Sequence, residues 1–178
     1  MQSTSQHYDE AIAICKDIFL KKMNDYGTAW RNLRPKSLTD QIFIKAQRIK
    51  SIEEKGIQKI SDAINGEYVG IINYCVIALI QIELYDDASI DIPYKEVEGL
   101  YNKYIEQTKQ LMEDKNHDYG EAWRDMRMSS ITDLILMKVF RVKQIEDNEG
   151  KTIISEGVDA NYMDMINYSV FALIKCKN

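Results

Sequence analysis

The chain has 178 residues, 45% of them hydrophobic, which is enough for a packed core in one domain or two small ones. The formal net charge of −5 argues against a general nucleic-acid scaffold, because such proteins present a basic face to phosphates. The sequence has no N-terminal signal and no apolar run of about eighteen residues, so we expect a soluble cytoplasmic protein with no membrane partner. Its three cysteines are far apart and are expected to be buried thiols in a reducing compartment.

Residues 1–83 have the periodicity of three helices. The predicted helices lie at about 7–24, 39–55 and 66–83. The first stops at Gly27, and the pattern Ser37-x-x-Asp40 resembles a capping box that opens the second. Because the third is apolar nearly all round, we expect it to run through the centre of the fold.

Residues 84–92 are predicted to connect this half to a second half, 93–178. The second half repeats the pattern, with helices predicted from Pro93 to Gly120, at 132–147 and at 160–176. No strand-like alternation competes with this assignment. The sequence therefore predicts an all-α fold in which two three-to-four-helix halves pack about a pseudo-two-fold axis as one compact unit.

The two halves share polar and aromatic residues more than aliphatic ones. Residues 22–80 recur as 115–174, and the motif K-x-x-D-Y-G-x-A-W-R stands at 22–31 and again at 115–124. Packing alone tolerates exchange among aliphatic residues and does not require a particular charged residue. The retained polar identities therefore indicate a functional site within the repeat.

A lysine lies on the apolar stripe of the second helix in each half. Lys45 falls among core-facing aliphatic residues, and Lys138 repeats the anomaly, with Arg48 and Arg141 one turn further on. A buried ammonium needs a carboxylate partner, a route to water or a bound anion. Two interpretations stay open here: a structural ion pair, or a cationic wall that faces a phosphate.

The central helices carry a second polar cluster. Glu67, Gly70 and Asn73 in the first half align with Asn161, Asp164 and Asn167 in the second. One interpretation is a hydrogen-bonded bridge between helices, and the other is an acidic wall that holds a divalent cation. The tryptophans of the shared motif are likewise compatible with plugging the core or with stacking on a base.

The sequence lacks the patterns of several enzyme classes. It has no serine or cysteine nucleophile with an obvious base, no glycine-rich phosphate loop and no cysteine or histidine spacing typical of a metal site. Acyl transfer and P-loop chemistry are therefore not expected.

The motifs K-x-x-D-Y-G-x-A-W-R, S-x-T-D-x-I-x-x-K-x-x-R-I and I-N-Y together resemble the nucleotide modification associated domain 1 family, in two tandem copies. More distantly, E-x-x-D on an apolar helix is similar to a metal-binding helix of the all-α MazG and dimeric dUTPase-type pyrophosphohydrolases. Their E-E-x-x-E partner helix is absent, because 45–48 and 138–141 carry no acid there. A metal cluster would require Glu67 and Asp164 to come together across the halves.

The resemblance implies a nucleotide ligand, with Mg²⁺ as its cofactor. By that analogy, the phosphate-binding residues would be Lys45, Arg48, Lys138, Arg141, Arg31, Arg124, Lys22 and Lys115. The residues facing the base would be Trp30, Trp123, Tyr26 and Tyr119. The metal ligands would be Glu67, Asp164, Asp25 and Asp118, with Asn73 and Asn167 as polar support.

Three functions compete on these observations. The first is a nucleotide-binding protein of nucleotide metabolism or modification, with or without Mg²⁺-dependent pyrophosphohydrolase activity. The second is a non-catalytic helical interaction module, in which the repeated polar residues lock the two halves together. The third, a nucleic-acid accessory protein, is disfavoured by the net charge. Pairing of the chain with a second copy stays open.

Overall fold

The computed structural model describes residues 2–56, 63–152 and 156–177, and within these ranges it contains helices and no strands. A single 3-10 turn follows the first helix of each half, at Ala29–Asn32 and Ala122–Asp125. The α-helices are α1 (Thr4–Tyr26), α2 (Pro35–Lys55), α3 (Ala63–Glu83), α4 (Tyr94–Tyr119), α5 (Met128–Asp147) and α6 (Val158–Lys177). The prediction of a duplicated all-α fold is confirmed.

The starts of α2 and α5 differ from the prediction. α2 begins at Pro35 with Arg34 as its N-cap, and no side chain caps either this helix or α5. Proline is favoured at the first helical position because the N–H that it lacks would have no hydrogen-bond partner within the helix there. The capping-box interpretation of Asp40 is therefore wrong, and its carboxylate instead lies 3.3 Å from the Nζ of Lys143 on α5.

The helices form three layers. α3 and α6 pack against each other in the middle, α2 and α5 cover one side, and α1 and α4 cover the other. Within the described ranges, α3 is the one helix long and apolar enough to span a membrane, over Ile64–Glu83, but most of it is buried in the protein interior. The predicted central position of the third helix of each half is confirmed.

Reciprocal hydrogen bonds between the halves define the pseudo-two-fold relation. The hydroxyl of Tyr8 donates to Asn167 Oδ1 over 2.8 Å, and the hydroxyl of Tyr101 donates to Asn73 Oδ1 over 2.9 Å. Each asparagine also donates its amide to a backbone carbonyl in the first helix of its own half. All four side chains are buried. These asparagines therefore fasten α3 and α6 to the α1/α4 layer.

A second reciprocal set joins α2 and α5. The hydroxyl of Thr39 donates to Glu146 Oε1 over 2.5 Å and lies 2.9 Å from the hydroxyl of Tyr162, and both partners belong to the second half. The pseudo-equivalent set consists of Thr132, Glu53 and Tyr68. Many of the polar residues that the two copies share therefore form hydrogen bonds between the halves.

The cysteines only partly match their prediction. Cys15 and Cys75 are buried, and burial raises the pKa of the Cys15 thiol to about 12. Cys176 is exposed, because it lies near the end of α6, beyond the packed layers. The prediction of a buried thiol is therefore wrong for Cys176.

Candidate functional site

A cavity of about 500 Å³ opens in the first half, between the end of α1, the 3-10 turn, α2 and α3. Its volume lies within the range of small-molecule sites. Most of its wall is apolar or aromatic, and its charged lining residues are Lys22 and Lys45. The other lining residues are Ile18, Phe19, Met23, Tyr26, Gly27, Ala29, Trp30, Gly66, Val69, Gly70, Asn73, Tyr74 and Ile77.

The cavity exists because α3 carries smaller side chains than its counterpart α6. Several lining positions of α3 have bulkier equivalents in the second copy. The pairs are Gly66 and Ala160, Val69 and Met163, Gly70 and Asp164, and Ile77 and Phe171. At each of these positions the first half has the smaller side chain, which leaves more open space in its cavity.

In the second half, the equivalent position is occupied by the protein's own carboxylate. Asp164, which is buried, lies 2.8 Å from the Nζ of Lys138 and 2.8 Å from the Nζ of Lys115. Partial burial lowers the pKa of Lys115, but the hydrogen bond and charge of Asp164 outweigh this effect and leave that pKa raised. Two cations therefore converge on one carboxylate between α4, α5 and α6.

In the first half, Gly70 stands where that carboxylate would be. A Cβ at Gly70 would lie 2.7 Å from the Cε of Lys45, so the lysine side chain folds into the vacated space. The Nζ of Lys45 is 3.6 Å from Glu67, whose other oxygen accepts a 2.6 Å hydrogen bond from Arg48. Across the described part of the chain, Lys22 has no ion-pair partner, unlike its equivalent Lys115.

The aromatic residues of the two copies also differ in accessibility. Trp30 lines the cavity and is only partly buried, and Tyr26 is 72% exposed at its rim. Trp123 is buried, with its ring stacked on Phe171 at 4.2 Å between centroids and 5° between planes. Tyr119 is 77% exposed. An incoming flat ligand can therefore reach Trp30 but not Trp123.

The arginines of the shared motif bind the chain itself. The guanidinium of Arg31 donates to the backbone carbonyls of Ser89, Leu84 and Asp87 and to the side chain of Gln81. These contacts hold the connector against the first 3-10 turn. Arg31 therefore has a structural role, and the structure gives no support to its assignment as a phosphate ligand.

Arg124 is similarly engaged in the second half. It donates to Glu121 over 2.9 Å and to Thr4 over 2.7 Å, and its guanidinium lies 4.5 Å from the centroid of the Trp123 ring. These contacts fasten the start of α1 to the second 3-10 turn. Arg141 is exposed on α5.

The predicted metal ligands do not assemble. Glu67 is neutralised by Lys45 and Arg48, and Asp164 is neutralised by two lysines. Asp25 and Asp118 are exposed near the ends of α1 and α4. Over residues 2–56, 63–152 and 156–177, no three acidic, histidine or cysteine side chains form a group that could hold a metal ion. These carboxylates therefore do not fit the Mg²⁺ site expected from the MazG-type resemblance.

The cavity brings together five of the predicted site residues, but other residues of its wall were not singled out in the sequence; the five are Lys22, Tyr26, Trp30, Lys45 and Asn73. Gly66, Val69 and Tyr74 contribute to its wall, and the Nζ of Lys45 lies 5.7 Å from the centroid of the Tyr74 ring. The informative signal in the sequence was the exchange of a glycine for an aspartate between copies, at Gly70 and Asp164. At this position the first copy has a cavity, and the second copy has the Asp164 carboxylate between two lysines.

Comparison with protein families gives one match in two segments. The sequence model described as nucleotide modification associated domain 1 matches residues 22–82 and again residues 115–176. Comparisons with curated proteins and with solved structures give no significant match. The similarity to MazG-type enzymes is thus not shown by these comparisons and stays a prediction.

Proposed function

The chain belongs to the nucleotide modification associated domain 1 family, and we propose that its first-half cavity binds a nucleotide. Lys22 and Lys45 take the phosphate, and the apolar and aromatic wall takes the base. The second copy does not bind a second ligand in this proposal, because Asp164 already satisfies its lysines.

One observation carries the proposal: the filled copy has a carboxylate between its two lysines, whereas in the described part of the open copy Lys22 has no ion-pair partner and Lys45 has Glu67 at 3.6 Å. Lys115 and Lys138 share Asp164, whereas their equivalents border a cavity in which a glycine replaces the aspartate. Two lysines on the wall of one cavity, one of them without an ion-pair partner in the described part of the chain, favour an anion between them. A phosphate group in the first half would occupy the place that the aspartate carboxylate holds in the second.

The rest of the lining suits a flat organic group. Trp30 and Tyr74 are aromatic residues of the wall, and Phe19, Met23 and Ile77 supply apolar surface. Stacking of a nucleobase on an aromatic side chain contributes about 1–3 kcal/mol. A cavity with an aromatic wall and two lysines therefore favours a nucleotide over an inorganic anion.

The test introduces the missing carboxylate. Gly70→Asp copies the second half into the first, and the flexible end of Lys45 can move to accommodate it. Gly99→Asp is the matched control, because this exposed glycine on α4 does not line the cavity and a Cβ added to it would meet no atom within 4 Å. A panel of ribo- and deoxynucleotides is screened by thermal shift, with and without Mg²⁺, and binding is then measured by calorimetry.

We expect at least one nucleotide to stabilise the wild type and Gly99→Asp but not Gly70→Asp. If no nucleotide stabilises the wild type, the proposal is wrong. Equal binding by Gly70→Asp and the wild type would place the ligand elsewhere and would also overturn it. Pyrophosphate release is measured on any triphosphate that binds, which tests the predicted pyrophosphohydrolase activity separately.

A non-catalytic interaction module is the second candidate, and the hydrogen bonds between the halves favour it. Thr39, Asn73 and their pseudo-equivalents are retained in both copies and are used for internal fastening, which requires no ligand. This candidate does not account for the solvent-accessible cavity or for the unpaired Lys22 on its wall. Failure of the nucleotide panel would leave it as the preferred function.

A further inference from the structure

The charges around the cavity specify how many phosphate groups the ligand carries. This inference rests on the proposed function and concerns the same site. Among the residues that the structure describes, Lys22 and Lys45 are the charged residues of the lining. Glu67, which is outside the lining, lies 3.6 Å from Lys45 and shares its charge with Arg48. A phosphate monoester carries a charge of about −1.5 to −2 at neutral pH. The two lysines therefore match one terminal phosphate.

The second half shows that two lysines placed in this way can meet on a single anionic group. Both Lys115 and Lys138 approach Asp164 to 2.8 Å, and their backbone positions correspond to those of Lys22 and Lys45. Lys22 extends from the last turns of α1 and Lys45 from the middle of α2. The two ammonium groups can thus close on one phosphate from opposite sides.

Within residues 2–56, 63–152 and 156–177, the cavity lining offers additional phosphates no cation besides Lys22 and Lys45. Arg48, which shares Glu67 with Lys45, donates to that carboxylate over 2.6 Å, and Glu67 itself is a carboxylate that repels a polyphosphate. Arg31 is engaged by the carbonyls of the connector. A β- or γ-phosphate would therefore add negative charge without adding a partner.

We infer that the cavity selects nucleoside monophosphates over the corresponding diphosphates and triphosphates. The single phosphate lies between Lys22 and Lys45, and the base lies against the aromatic wall. We expect little discrimination between bases. The side-chain amide of Asn73 lines the cavity, but it already accepts a hydrogen bond from Tyr101 and donates one to a carbonyl of α1.

The experiment measures affinity along a phosphate series. Each of the four deoxynucleosides and its 5′-mono-, di- and triphosphate is titrated into the full chain by calorimetry, with and without Mg²⁺. We expect the monophosphate to bind at least about tenfold more tightly than the nucleoside, because charge-assisted hydrogen bonds are among the stronger polar contacts. The triphosphate should bind more weakly than the monophosphate in both buffers.

A pair of neighbouring lysines provides the control. Lys22→Gln should remove most of the advantage of the monophosphate over the nucleoside, whereas Lys21→Gln should not, because Lys21 is exposed and pairs with Asp17. Tighter binding of the triphosphate, or an unchanged advantage in Lys22→Gln, would overturn the inference. If triphosphates bind more tightly than monophosphates but Gly70→Asp still abolishes binding, the proposed function holds and the monophosphate inference alone fails. If nothing in the series binds, both fail.

Discussion

Asp164→Asn should be among the most destabilising conservative substitutions in the chain. The change keeps the shape of the side chain and removes the charge that neutralises two lysines at 2.8 Å. Lys138 has a side chain only 11% exposed, so its ammonium is left unpaired in the interior. Lys115 is 50% exposed and can turn to solvent.

The exposed fractions give the size of the effect. Removing one partner of a buried ion pair costs about 3–5 kcal/mol, whereas an exposed pair contributes about 0–1 kcal/mol. Lys138 loses the partner of a buried ion pair, whereas Lys115 loses the partner of an exposed one. We therefore expect the free energy of unfolding to fall by about 3–5 kcal/mol, which lowers Tm by roughly 6–20 °C in a chain of this size.

Glu67→Gln is the matched control in the first half. Its partners, Lys45 and Arg48, have side chains 26% and 48% exposed, so both reach water more easily once the carboxylate is gone. A loss of about 1–2 kcal/mol is expected after allowance for solvent screening. Urea denaturation followed by circular dichroism measures both variants. Equal losses, or a larger loss in Glu67→Gln, would refute the argument from burial.

The remaining predictions concern the fastenings between the halves and the connector. Tyr101→Phe leaves Asn73 Oδ1 without its buried donor and should lower the free energy of unfolding by about 1–2 kcal/mol in urea titrations; an unchanged midpoint would contradict the assigned bond. Burial raises the pKa of Glu146, so ionisation in the folded state is costly and the wild type loses stability as pH rises through that raised pKa. Glu146→Gln should therefore be more stable relative to the wild type at pH 7 than at pH 4, and the opposite trend in thermal melts would show that the sign is wrong. Arg31→Ala should expose the connector, giving faster chymotrypsin cleavage beside Tyr85 without a matching loss of global stability; unchanged cleavage would show that these contacts do not hold the connector.

Periodicity was sufficient to predict the helices, because apolar spacing follows directly from which face is buried. It was insufficient for the start of α2, where Ser37 and Asp40 form a pattern typical of an N-terminus but lie inside the helix. Pro35, which fits the first helical turn, was the better indicator. A capping motif in sequence gives the side-chain types and not the backbone dihedral angles, so it cannot exclude a start one turn earlier.

The lysine anomaly on α2 and α5 pointed to the region of the cavity, but the sequence could not distinguish its two interpretations. Each lysine has a carboxylate partner, Asp164 for Lys138 and Glu67 for Lys45, and Lys45 also borders a cavity. The phosphate interpretation stays a prediction. The outcome depends on which side chain of α6 or α3 faces each lysine, and that is a matter of tertiary packing. The repetition of Arg31 suggested a ligand, whereas in the fold it donates to carbonyls of the connector, and the sequence does not show which carbonyls will lie beside it.

The exchange of Gly70 for Asp164 has a consequence for how such a site can change. In an assembly of identical subunits every substitution is present twice, so a pocket cannot be sealed on one side and kept on the other. Joining two copies in one polypeptide removes that restriction. One copy can then be closed by an internal carboxylate while the other keeps an open cavity.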